Sequence, residues 1–222
     1  MELTELKWSY SGLKQFLTCP KQYYELKVAK NYTPQDTVQT LYGKEVHKAF
    51  EEHVVKGTPL PRNYHQYKPI MDVLLEIPGK RYTEYEMAMD KFMRPVGFHD
   101  KDYWVRGIAD LMIIAGNEAY IIDYKTGNPR YADTKQLKLM ALMAHAHFPQ
   151  IDYVRAGLIF TSKFKFFPEE YDMKDYSALW EEFRPDLMRL TDSYTNDKWP
   201  TNPSGLCRKH CPVTTCTFHG GS

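Results

Sequence analysis

Ala119-Tyr120-Ile121-Ile122-Asp123-Tyr124-Lys125-Thr126-Gly127 reads as a buried strand that ends by projecting Asp123 and Lys125 from one face, because side chains at i and i+2 of a strand share a side. Gly127 then breaks the strand. Upstream, Tyr103 to Ile114 is a second apolar run, with Ala115-Gly-Asn-Glu118 between the two. A two-residue turn at Gly116-Asn117 makes paired residues sum to 233 and sets Asp110 opposite Asp123. Cβ atoms in such a pair lie about 4.5–5.5 Å apart. Carboxylates at that range repel unless a cation lies between them. The pattern therefore asks for a divalent metal, and hard oxygen ligands favour magnesium or manganese. The competing reading is a solvated Asp–Lys pair at a strand end, with the two aspartates diagonal if the loop differs by one residue. These residues alone leave both readings open.

The surrounding chain is that of an ordinary globular protein. It has 222 residues, 43% of them hydrophobic and 26% charged, enough for a sizeable core, and one domain with appendages fits the length. A net charge of +1 leaves any polyanionic partner to a local patch. The 17 tyrosines can serve as base-stacking surfaces as well as core. In particular, Lys21, Tyr23, Tyr24 and Lys27 near the N-terminus suggest a basic, aromatic groove leading to the metal. No apolar run approaches 18 residues and Met1 to Lys7 has no signal-peptide pattern, so a cytosolic protein without a membrane segment is expected.

Hydrophobic periodicity gives the order of elements. Residues 8–29 form a helix pair interrupted at Cys19-Pro20, with Ser9 or Ser11 as the cap; 31–39 are a loop. Helices follow at 41–55 (Val46, Phe50 and Val54 at spacings of four, His47 beside them) and 65–77, the latter stopped by Pro78-Gly79. Strands at 81–94, 103–114 and 119–126 precede a largely buried helix from Thr134 to His147, then strands at 154–160 and 164–171. A last helical stretch, 176–194, breaks near Pro185. Helices, a three-strand meander, a helix and further strands describe a mixed α/β fold around one sheet.

Five motifs stand in order along this frame: Ser9-Tyr-Ser-x3-Gln-Phe-x2-Cys-Pro20, Gly43-Lys-Glu-Val-His47, Gly107-Ile-Ala-Asp110, Asp123-Tyr-Lys-Thr-Gly127 and Gln136-x3-Met140. In this the chain resembles the RecB-like nucleases of the PD-(D/E)xK superfamily, including CRISPR-associated exonucleases, AddAB-type nuclease domains and small phage nucleases. The resemblance implies a restriction-endonuclease-like mixed central sheet flanked by helices, spanning 1–222 as a single domain. It implies a magnesium- or manganese-dependent deoxyribonuclease, an exonuclease in recombination, repair or CRISPR adaptation, with DNA ends or single strands and recombination or replication proteins as partners. It assigns Asp110, Asp123, His47 and the Tyr124 main-chain carbonyl to the metal, Lys125 to the attacking water and phosphate charge, and Gln136 to positioning. Asp123 and Met140 stand where relatives often carry Glu and Tyr. Glu86 is a candidate extra ligand from the preceding strand, and Glu84 shares its face. His145 and His147, at a helix C-terminus, read as structural.

Cys19 and the run Cys207-x3-Cys211-x4-Cys216 form a second constellation. Four cysteines in a cytosolic chain argue for a metal rather than disulfides. By resemblance they would hold a 4Fe–4S cluster that staples residues 1–30 to residues 200–222. The rival is a structural zinc on Cys207, Cys211, Cys216 and His219, with Cys19 a buried thiol. Two other classes compete with the exonuclease: a non-catalytic nucleic-acid-binding or scaffold protein of the same fold, and an endonuclease of the same chemistry.

Overall fold

The computed structural model describes residues 2–34 and 36–221. The chain divides into two compact units, one of Met1–Gln35 with Glu181–Ser222, the other of Asp36–Trp180.

The larger unit is built on a six-stranded sheet, order β2-β1-β3-β4-β5-β6, from β1 (Lys80–Met89), β2 (Pro95–Val96), β3 (Val105–Ala115), β4 (Glu118–Lys125), β5 (Tyr153–Phe160) and β6 (Lys165–Asp172). Only β4 and β5 are parallel. Their crossover is α5 (Lys135–His147), buried from Leu139 through Ala144 against one sheet face. The opposite face is covered by α3 (Val38–Lys56) and α4 (Lys68–Glu76), whose Val46, Phe50, Met71 and Leu74 share a core with Leu111, Ile113, Ile122 and Ile159. Helix α3 starts where Thr37 and Thr40 form a capping box and stops at Gly57, whose φ of 66° few other residues tolerate. The mixed sheet flanked by helices is the expected architecture. The strand expected at 81–94 ends at Met89, and Pro95–Val96 makes a separate short one.

The other unit joins both chain ends. α1 (Tyr10–Thr18) is capped by Ser9, and α2 (Pro20–Tyr23) runs on as a π-helical turn, Tyr24–Val28. The stretch expected as one broken helix is two, α6 (Tyr176–Glu181), at the end of the larger unit, and α7 (Arg184–Asn196), in this one. Trp199 stacks on Tyr23 and packs against Phe16, Tyr24 and Tyr194, and the Lys21 amide donates to the Pro200 carbonyl at 3.1 Å. Of the four residues expected to form a basic, aromatic groove, Lys27 is exposed and the other three are engaged within this unit. Tyr23 is buried, Tyr24 packs on Trp199, and Lys21 pairs with Glu25 at 2.7 Å. Cys19, Cys207, Cys211 and Cys216 line one small cavity in this unit.

Candidate active site

The site begins with an irregularity in two strands. The β1–β3 ladder runs from Lys80↔Ile114 to Met89↔Val105, but the pair Glu84–Asp110 is missing from it. Glu84 has a φ of 45°, in the left-handed region, which turns the strand over. Tyr82 and Tyr85, three residues apart, both pack on Phe148 just after α5, although strict alternation would put them on opposite faces. In β3, Gly107 lies against Met140 and Met143 of α5, whereas Leu111 and Ile113 belong to the α3–α4 core. The alternation thus inverts in both strands at once, and Glu84 and Asp110 emerge toward α3.

There they meet His47. Gly43, one turn earlier on α3, leaves room for Thr126, whose Oγ1 would lie 3.2 Å from a Cβ at that position. The His47 Nε2 lies 2.9 Å from the Tyr124 carbonyl. A carbonyl can only accept, so Nε2 carries the proton and Nδ1 keeps its lone pair. Burial lowers the pKa of the ring, despite the Tyr124 carbonyl and Asp123, which favour the charged form. Nδ1 faces Asp110 Oδ2 at 3.5 Å and Glu84 Oε1 at 3.9 Å. Ligand atoms of His47, Glu84 and Asp110 all lie within 4.8 Å of one another.

The second half of the site comes from β4 and α5. The β3–β4 ladder follows the expected register from Ala115↔Glu118 to Leu111↔Ile122 and stops one pair short of Asp110 and Asp123. Asp110 Oδ2 instead accepts the Tyr124 amide at 2.8 Å. Asp123 Oδ1 accepts from Gln136 Nε2 at 2.8 Å, and Lys125 Nζ donates to Gln136 Oε1 at 3.1 Å. Lys125 Nζ also lies 2.6 Å from Asp123 Oδ2, yet that buried oxygen accepts no hydrogen bond. The contact is a charge pair with poor directionality. Burial, and then the nearby Asp123 charge, push the Asp110 carboxyl well above the usual carboxylate range.

His47, Asp110, Asp123, Tyr124, Lys125 and Gln136 are therefore gathered into one region by direct contacts. Glu84, rather than Glu86, is the β1 carboxylate in the three-residue group, and the inversion at Glu84 is the reason. Met140 packs on Gly107 away from the polar groups. His145 and His147 lie beside the carbonyls of Ile151 and Ala88 at 2.6 and 2.9 Å, which is a structural use. Sequence reading missed Lys48, Glu51 and Thr126, which line a groove of about 660 Å3 beside His47. The spacing of Glu51 four residues after His47 on a helix was the available signal.

A magnesium or manganese ion fits these residues. The His47 Nδ1 lone pair faces the Asp110 and Glu84 carboxyl groups, and Asp123 Oδ2, though 2.6 Å from Lys125 Nζ, accepts no hydrogen bond. Oxygen donors with one imidazole suit such ions.

No curated protein sequence matches the chain. Among solved structures it is similar to SSO0001, with 18% identity, a TM-score of 0.47, and coverage of 96% of this chain and 87% of that one. It is also similar to a protein from Eubacterium rectale provisionally named an exonuclease, with 14% identity, a TM-score of 0.50, and coverage of 92% and 86%. At such identities the likeness concerns the fold alone. The profile of the PD-(D/E)XK nuclease superfamily matches residues 7–216, a span that includes every residue of the site. The chain belongs to the PD-(D/E)XK nuclease superfamily.

Proposed function

We propose that the protein is a magnesium- or manganese-dependent deoxyribonuclease that works from DNA ends in the cytosol, in a recombination, repair or adaptation process. The observation that carries the reading is the convergence of His47, Glu84 and Asp110 beside the Asp123–Lys125–Gln136 cluster. His47 Nδ1, Glu84, Asp110 and Asp123 Oδ2 would hold the cation; the Tyr124 carbonyl, bonded to the far nitrogen of the same ring, would join them only on releasing His47 Nε2. When bound, it would supply Lewis-acid stabilisation of the phosphoryl oxygens and lower the pKa of a water. Gln136 fixes the Asp123 carboxylate and the Lys125 ammonium in one geometry. Lys125, partly exposed, can orient a water in line with the phosphorus and offset negative charge as it develops. The preference for ends takes its support from the motif order and from the name of the Eubacterium rectale protein.

Digestion of end-labelled linear, circular and single-stranded DNA with magnesium or manganese tests this. Release of short products from linear DNA, with circular DNA resistant, is expected. Cleavage of circular DNA at equal rate makes the protein an endonuclease. Normal cleavage by folded Asp123→Ala, or none by the wild-type protein with either metal, removes the catalytic reading.

The four cysteines support an iron–sulfur staple more than a zinc site. Cys19, rather than His219, is the fourth residue with Cys207, Cys211 and Cys216 around their cavity. A tetrahedral zinc with bonds of about 2.3 Å would draw its sulfurs to about 3.8 Å from one another. Among the described residues, the group that gathers within 4.8 Å contains no cysteine. A cubane carries its thiolates on separate irons at separate corners and so accepts a wider set. Anaerobically prepared protein should be brown, with about four irons per chain, and Cys19→Ser should lose colour as fully as Cys211→Ser. Zinc without iron would overturn the cluster and leave the nuclease site untouched.

A further inference from the structure

The sheet face that presents Asp110 continues along β3 as a surface with no assigned use. Gly107 points into α5, so Arg106 and Ile108 lie on the other side, at alternate positions leading to Asp110. Ile108 is 38% exposed, and exposed Glu86 is its partner across the ladder. The Arg106 guanidinium lies 5.0 Å from the Phe98 ring centre and 4.7 Å from that of Tyr103. One of its nitrogens reaches the Phe98 carbonyl at 3.5 Å. No carboxylate pairs with Arg106 among the described residues. Two rings thus hold a planar cation with no carboxylate partner among the described residues, whereas Arg94 nearby in the chain is already paired with Asp90.

We propose that Arg106, braced by Phe98 and Tyr103, grips a backbone phosphate of a single nucleic-acid strand whose scissile phosphate lies at Asp110. Ile108 and the two rings take the unpaired bases. The proposal rests on the nuclease reading of the carboxylate site. Four strand residues at about 3.4 Å each put the clamp about 14 Å from Asp110, which a stacked strand spans in about four nucleotides and an extended one in fewer. The chemistry favours one strand over two. A guanidinium edge suits phosphate, and aromatic and apolar groups between phosphate contacts suit exposed base faces. A duplex would offer those groups only its charged backbone. It would also bring a second line of phosphates toward Glu86, beside Ile108.

The test is anisotropy of a labelled single-stranded oligonucleotide and of a blunt duplex, in EDTA, with wild-type protein, Arg106→Ala, Arg106→Lys and Phe98→Ala. Arg106→Ala should weaken single-strand binding about ten-fold or more and Phe98→Ala about five-fold or more, with duplex binding changed less than about two-fold. Arg106→Lys should recover only part of the loss, since a point charge lacks the planar fork. With metal present, KM for single strands should rise while kcat holds. Wild-type binding by an Arg106→Ala protein that melts normally overturns the clamp, as does full rescue by lysine. Equal losses on duplex and single strand overturn the strand assignment. The nuclease reading fails separately: a wild-type protein that binds through Arg106 but never cleaves keeps the clamp and loses the enzyme.

Discussion

Gln136 is the residue whose removal should report most directly on the site. Its amide makes two bonds of unequal worth, accepting from Lys125 at 3.1 Å and donating to Asp123 at 2.8 Å. The Lys125 side chain is 35% exposed, so water can replace its lost bond at little cost. The Asp123 side chain is only 6% exposed, and its other oxygen already accepts no hydrogen bond. Gln136→Ala would leave a buried carboxylate with one charge pair and no good donor. A hydrogen bond to a charged group contributes about 1.5–3 kcal/mol, and a small remainder for Lys125 brings the expected loss to about 2–3 kcal/mol. For a chain of this size that lowers the melting temperature by about 4–12 °C. Gln136→Glu sharpens the test by replacing the donor with a carboxylate facing Asp123. In EDTA it should melt below Gln136→Ala, because like charges then meet in a poorly solvated place. Added manganese should restore more of its stability than of the alanine variant's. Melting followed by circular dichroism, with and without metal, reads all of these. A Gln136→Ala protein that melts with the wild type, or a Gln136→Glu protein no worse than the alanine variant, would refute the reasoning.

Manganese at one hundred times its dissociation constant should stabilise the wild-type protein by about 2.7 kcal/mol, and Asp110→Asn should abolish that shift in a melting experiment. Asp90 sets a pH dependence. Burial opposes its charge, but the Arg94 side chain and the Arg94 and Phe92 amides outweigh burial and hold its pKa below the usual range. A depressed folded pKa gives stability that is present above the unfolded value, about 3.9, and lost as pH falls through the folded one. Melting curves between about pH 6 and pH 2 should therefore show a smaller acid loss in Asp90→Asn than in the wild type. Gly79→Ala should destabilise by more than about 1 kcal/mol in denaturant titration, because φ is +135° and a Cβ would press on the Ile114 carbonyl.

The sequence made part of the site legible for local reasons. A two-residue turn fixes a hairpin register, Gly116 takes the positive φ such a turn needs, and the observed β3–β4 pairs sum as expected. Residues two apart on a strand share a face, which put Asp123 and Lys125 together. The choice between Glu84 and Glu86 was not legible. It depends on a left-handed glutamate, and nothing in the composition of Tyr-Thr-Glu-Tyr-Glu marks one. The fate of Tyr23 and Tyr24 depended on Trp199, about 175 residues later, and long-range packing leaves no periodic signature.

The inversion at Glu84 also explains how the sheet tolerates its own opening. A regular pleat would have sent Glu84 to the same side as Tyr82, toward α5 and its methionines, where an ionised carboxylate is costly. Turning the strand over avoids that burial but costs about 1–3 kcal/mol of backbone strain and removes a ladder pair. The next ladder ends in the same place, at Leu111↔Ile122, so β3 no longer satisfies the amide and carbonyl of Tyr124. Asp110 takes the amide and His47 takes the carbonyl, at 2.8 and 2.9 Å. The residues assigned to the metal therefore also close the gap their own placement creates. Removing either one would harm the metal-free fold as well as cleavage, whereas Lys125 makes no bond to Tyr124 and its removal would cost the fold through the buried Asp123 charge it neutralises.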